Sequence, residues 1–128
     1  MNDRIVADAH AWVEYLGGTS RGMRLRDFLG GEAEVYTCAV TLAEVVSKAA
    51  RTGKDHRTAY DVINGNSTIV DADEQLSYQA GVLHAEVRQT VHDFGLADAY
   101  VLACARRLDA RVLTGDPHFA GIEDAIMI

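Results

Sequence analysis

The stretch from Phe94 to Pro117 constrains the fold most. It reads as a helix, a turn of two residues and a short apolar strand that ends on an acid. Ala99, Leu102, Ala103 and Leu108 recur at helical spacing and make one apolar face, with Arg106 and Arg107 in the last turn, where cations suit the helix dipole. Val112 and Leu113 form an apolar run closed by Gly115, the pattern of a strand covered on both faces. Asp98 then falls in the first turn of the helix and Asp116 just past the C-terminal end of the strand. Open α/β sheets place their ligands at that edge.

The rest of the chain repeats the alternation. Arg4–Ala7, Val35–Cys38, Thr68–Val70 and 125–128 read as strands. Helices are expected over 10–16, after a Thr19-Ser20 cap, from Thr41 to about Thr52, from Asp55 to a stop at Asn64-Gly65, and after an Asp73 cap as far as Val91. Strands alternating with helices predict one α/β domain over residues 1–128, with a parallel sheet and helices on both faces. Hydrophobic residues make up 48% of the 128 positions, enough for a core. No apolar run approaches the roughly 20 residues of a membrane span. Met1-Asn2-Asp3-Arg4 carries no charged leader with an apolar segment behind it, so a cytoplasmic protein without membrane attachment is expected. Cys38 and Cys104 match no metal or redox spacing and read as buried free thiols.

Nineteen acidic residues against twelve basic ones give a net charge of −7. Such a surface does not hold nucleic acid through its overall field. An acidic metal pocket is compatible with it, and so is a basic protein partner. Arg21, Arg24 and Arg26 make one local basic cluster, and Lys48, Arg51, Lys54 and Arg57 another. Either is placed to hold RNA phosphates or simply to form a solvated helix face.

Four carboxylates occupy comparable places: Asp8 after the first strand, Glu44 in the first turn of the third helix, Asp98 and Asp116. Each has an ordinary reading. Thr41-Leu42-Ala43-Glu44 fits a capping box, Asp98 suits a helix dipole, Asp116 before Pro117 fits an N-cap, and Asp8 is a common loop residue. Together they share one sheet edge, where four such charges repel unless a cation holds them. Hard oxygen donors suit Mg²⁺ or Mn²⁺ rather than zinc, and such a site supports in-line hydrolysis of a phosphodiester. Thr114, two residues before Asp116, is suited to orient a carboxylate or a water. His118 reads as a loop residue, and His84 and Glu86 as surface. There is no GxGxxG, Walker-type loop or nucleophile elbow.

Four blocks resemble the PIN domain and, more narrowly, VapC-type toxins. They are Ile5-Val6-Ala7-Asp8 before Trp12-Val13-Glu14-Tyr15-Leu16, then Thr41-Leu42-Ala43-Glu44-Val45, Gly95-Leu96-Ala97-Asp98-Ala99, and Leu113-Thr114-Gly115-Asp116-Pro117-His118-Phe119. The last two blocks, at their mutual spacing, carry most of the specificity. The resemblance implies a PIN-like α/β fold with a five-stranded parallel sheet. It implies a Mg²⁺- or Mn²⁺-dependent endoribonuclease, the toxin of a VapBC-type toxin–antitoxin system. Asp8, Glu44, Asp98 and Asp116 would be its catalytic and metal-binding quartet. It also implies an RNA substrate, a homodimer and a VapB-type antitoxin whose tail enters the active-site groove. Met23 and Leu25, read as apolar residues left uncovered, point to the same dimer. One position departs from the family: His10 stands where a small Ser, Thr or Asn usually supports the pocket, and it is suited to hydrogen-bond in that residue's place. A housekeeping RNA-processing nuclease and a non-catalytic acidic pocket that receives a basic peptide are the rival readings.

Overall fold

The computed structural model describes residues 3–128. Met1 and Asn2, the start of the expected domain, lie outside the described residues. The chain runs β1 (Arg4–Ala7), α1 (Ala9–Leu16), α2 (Met23–Leu29), β2 (Glu34–Cys38), α3 (Ala39–Arg51), α4 (His56–Asn66), β3 (Thr68–Val70), α5 (Glu74–Val87), α6 (Leu96–Leu108), β4 (Arg111–Thr114), a 3-10 turn (Pro117–Phe119) and β5 (Ala125–Met127). The five strands form one sheet in the order β3-β2-β1-β4-β5. Every neighbouring pair is parallel, as the alternation required.

Strand residues point alternately to opposite faces, so apolar runs in β1 and β4 feed two cores. Ile5, Ala7 and Leu113 pack with Trp12, Leu25, Val45 and Ile63 beneath α1 to α4. Val6 and Val112 pack with Leu76, Phe94, Leu102 and Phe119 beneath α5 and α6. The indole N–H of the buried Trp12 donates to Thr37 Oγ1 at 3.0 Å. Thr37 in turn shares a 2.7 Å hydrogen bond with Ser67, so this interior polar path is satisfied. Among the described residues no helix is long and apolar enough to cross a membrane. Cys38 and Cys104 are buried free thiols, and burial pushes the Cys104 thiol up to about 12.

Several local expectations are corrected. The α2 cap is Gly22, not Thr19-Ser20; Thr19 Oγ1 accepts from Gly22 N–H at 3.2 Å while its hydroxyl bonds Glu14. A Cβ on Gly22 would lie 2.4 Å from the Glu14 carbonyl oxygen, so only glycine lets α2 start against α1. Helix α4 continues through Asn64-Gly65 and ends at Ser67, whose hydroxyl donates to the Ile63 carbonyl at 2.8 Å. Helix α5 stops at Val87, and Val91 packs on the core from the following turn. Leu16, expected with Trp12 and Val13 on the inward face of the first helix, is exposed; Leu25 is fully buried, which removes half of the apolar argument for a dimer, and Met23 stays exposed. Helix α3 begins at Ala39 with Cys38 as its cap, so Glu44 lies in the second turn and the expected Thr41–Glu44 capping box does not form. The Thr41 hydroxyl is instead buried without a hydrogen-bond partner.

From β1 the chain steps outward through β2 to β3, then returns to the other side of β1 for β4 and β5. The switch point therefore lies between the C-terminal ends of β1 and β4. The Asp109 link at the end of α6 supports this return: Asp109 adopts φ 52°, a left-handed cap, and the Ala110 N–H donates to the Ala105 carbonyl at 2.8 Å.

Candidate metal centre at the sheet switch point

Asp8 follows β1 at this crevice and is 5% exposed. Its N–H continues the sheet ladder by donating to the Leu113 carbonyl at 3.2 Å. Its carboxylate caps α1 by accepting from Ala11 N–H at 2.9 Å. Burial raises its pKa from 3.8 to about 6; the Thr114 hydroxyl, the Ala11 N–H and His10 act in the opposite direction, and Asp116 adds to the rise. The fully buried Thr114 also receives the Asp116 N–H at 2.9 Å. One hydroxyl therefore serves both strand-end acids.

Asp98 and Asp116 come from different elements and meet. Asp98, in the first turn of α6, accepts the Gly95 N–H at 2.9 Å, so the dipole reading of this residue holds as well. Asp116 caps the 3-10 turn by accepting the His118 N–H at 2.9 Å. The His118 ring enters between them, with Nδ1 3.3 Å from Asp98 Oδ2 and 3.3 Å from Asp116 Oδ1. One ligand atom from each of the three lies within 4.8 Å of the others. His118 is thus part of the site, not only of the loop. Its spacing of two from Asp116 inside an Asp-Pro turn was the available signal.

Glu44 stands at the mouth of the cleft, open to solvent. Partial desolvation raises its pKa, and Asp98 and then Asp116 raise it further. Asp116 is the hub, since its charge acts on both Asp8 and Glu44. His10 lies exposed in the first turn of α1 and borders the β4 loop: a Cβ on Gly115 would sit 3.3 Å from its Nδ1. The same Cβ would sit 2.8 Å from an Arg21 guanidinium nitrogen, a contact the end of the flexible Arg21 side chain would have to move to relieve. Arg21, whose neighbourhood the sequence did not reveal, donates to the Ile128 carbonyl at 3.0 Å rather than to the acids. From Glu44 a cleft extends between α1 and α3, with Val13 and Val45 on its floor and Lys48 and Arg51 on its rim.

Among the described residues, none of the four carboxylates has a Lys or Arg within 4.0 Å. Carboxylates at a structural corner behave differently: Asp73 caps α5 and is paired with Arg107 at 3.0 Å through both oxygens. Apart from the His10 and His118 imidazoles, the cleft is a set of hard oxygen donors with no lysine or arginine among them, which fits a divalent ion of the Mg²⁺ or Mn²⁺ type.

Comparisons with known proteins bear on the family and the fold. The PIN domain family model matches residues 5–125. A comparison with curated protein sequences yields no significant match. Among solved structures, the chain is similar to a toxin–antitoxin complex from Klebsiella pneumoniae, with a TM-score of 0.75 and 18% identity over 96% of both chains. It is similar to VapBC2 from Rickettsia felis bound to a promoter DNA fragment, with a TM-score of 0.76 and 16% identity over 98% of this chain and 97% of that one. The sarcin–ricin loop cleaving toxin VapC20 of Mycobacterium tuberculosis gives a TM-score of 0.73 and 19% identity, over 93% and 95% of the two chains. At these identities the likeness is one of fold.

Proposed function

The chain belongs to the PIN-domain family, and from that premise we propose that it is a Mg²⁺- or Mn²⁺-dependent endoribonuclease, the toxin of a VapBC-type toxin–antitoxin pair. One observation carries the reading: acids from four elements gather at the switch point and, among the described residues, have no lysine or arginine to neutralise them. In this reading Asp8, Asp98 and Asp116 hold the ion. When bound there, Mg²⁺ or Mn²⁺ supplies positive charge at the scissile phosphate and acidifies water. Thr114 keeps Asp8 and Asp116 in register by serving both. Glu44, at the cleft mouth with a raised pKa, positions the attacking water and is suited to take up its proton.

RNA is the substrate in this reading, gripped locally by Lys48 and Arg51 beside Glu44 because the overall charge of −7 repels it. The partner is a small antitoxin with an Arg- or Lys-bearing tail, since a planar guanidinium matches unpaired carboxylates in bidentate fashion. Solved relatives in fold include VapBC complexes by their descriptions. The reading includes a single cytoplasmic domain over residues 1–128 and a homodimer. The test is incubation of total RNA with the protein and Mg²⁺ or Mn²⁺. Discrete cleavage that EDTA stops, and that a full-length antitoxin inhibits better than a tail-less one, is the expected result. Metal binding without any cleavage would instead favour a non-catalytic module.

A further inference from the structure

We propose that His118 is a nitrogen ligand of the centre, completing an Asp98–Asp116–His118 face and tilting the site toward Mn²⁺ over Mg²⁺. The proposal rests on the metal-dependent reading above. Its warrant is geometric. An octahedral ion with bonds of about 2.1 Å separates adjacent ligand atoms by about 3 Å. His118 Nδ1 stands 3.3 Å from an oxygen of each aspartate, close to that edge length on both sides.

The backbone that carries the ring is also held in place. Pro117 opens the 3-10 turn with a fixed φ, and the His118 N–H is tied to Asp116 Oδ1 at 2.9 Å. The next residue, Phe119, is fully buried and meets Phe94 edge-to-face at 5.5 Å between ring centres. Phe94 immediately precedes Gly95, the cap of α6 that Asp98 accepts from. One aromatic contact in the core therefore fixes both halves of the three-residue face, the loop half and the helix half. Such preorganisation places the imidazole where a ligand belongs and leaves the remaining positions open to solvent, Glu44 and Asp8.

An imidazole changes what the site selects. Oxygen donors suit Mg²⁺ and Mn²⁺ alike, whereas an imidazole nitrogen is accepted more readily by a first-row transition ion than by Mg²⁺, so one such ligand favours Mn²⁺ of the two. The competing account is that His118 only hydrogen-bonds the two carboxylates and stays outside the coordination sphere. Its Nδ1 must carry a proton in that account and must be free of one as a ligand.

The experiment is pulsed electron paramagnetic resonance on the full chain loaded with Mn²⁺, read for ¹⁴N modulation from a bound imidazole. Modulation is expected in the wild type, retained in His10→Asn, and lost in His118→Asn while Mn²⁺ still binds. Competition calorimetry should show the Mn²⁺-to-Mg²⁺ affinity ratio falling about tenfold in His118→Asn, because an amide offers only oxygen to the ion. The wild-type spectrum needs no variant to fold. Bound Mn²⁺ without nitrogen modulation overturns the proposal and leaves the nuclease reading intact. Modulation that follows His10 instead overturns it too. A wild type that binds neither ion overturns both.

Discussion

Asp8 and Asp73 are the same residue in the same local role, and they titrate in opposite directions. Each caps a helix and accepts one N–H three residues on, Ala11 at 2.9 Å and Leu76 at 2.8 Å. Asp73 is exposed and lies against the Arg107 fork, whose hydrogen bonds with the Leu76 N–H hold its pKa down at about 2. Asp8 is buried with no lysine or arginine against it, and burial lifts its pKa to about 6. The cap is common to both, so the cap does not explain the difference. The protein neutralises the carboxylate that only builds structure, and leaves the cleft carboxylates for a cation from outside.

The strongest test of that contrast is to remove charge from the cleft. Asp98→Asn should keep the fold by circular dichroism, since an amide oxygen can still accept the Gly95 N–H. Metal-dependent RNA cleavage should fall by more than about 100-fold, beyond what loss of a merely supporting residue costs. Undiminished cleavage would sink the assigned role of Asp98.

A second test uses pH. Between the unfolded value of 3.8 and the folded value of about 6, Asp8 binds more protons in the native state than in the unfolded one. Metal-free stability should therefore decline as pH rises through that window, by up to about 3 kcal/mol from this group, and the loss persists above it. Urea denaturation from pH 4 to 7 checks the slope. Asp8→Asn, which keeps a good cap, should flatten it, and saturating Mg²⁺ should oppose it.

Thr114→Val probes the hydroxyl that the two strand-end acids share. It leaves the Asp116 N–H without its 2.9 Å acceptor and removes a group that lowers the Asp8 pKa. The expected cost is about 1–2 kcal/mol in denaturant unfolding, with a further rise in the Asp8 pKa by carboxyl NMR.

The smallest effect belongs to the structural corner. Arg107→Gln should let the Asp73 pKa climb from about 2 toward 3.8. Because that pKa is depressed in the folded state, its contribution is present above 3.8 and lost as pH falls through about 2. Mg²⁺ should leave the Asp73 titration unmoved while shifting that of Asp8. An equal response of both groups would erase the distinction between the two regions.

Much of the frame was legible because its signals are local. Apolar runs at 5–7 and 112–113 mark strands buried on both faces; Asp8 follows the first directly, and Asp116 follows the second after Thr114 and Gly115. Glu44 shows where local reading misleads. Thr41-x-x-Glu44 matches a capping box, yet β2 runs straight into α3 at Cys38 and leaves Thr41 inside the helix. Asn64-Gly65 misled in the same way, since the hydrogen bonds that end α4 belong to Ser67.

What the sequence determined by itself is the alternation of elements, the placing of Asp8 and Asp116 after strands and that of Asp98 at a helix start, because periodicity, burial of apolar runs and capping act over a few residues. Tertiary structure alone decided the rest. The order β3-β2-β1-β4-β5 puts Asp8 beside the β4 loop, the Phe94–Phe119 contact brings His118 between Asp98 and Asp116, and burial sets the Asp8 pKa. Distance, desolvation and the presence or absence of a counter-charge depend on segments as far apart in the chain as Asp8 and Asp116, and no local pattern encodes them.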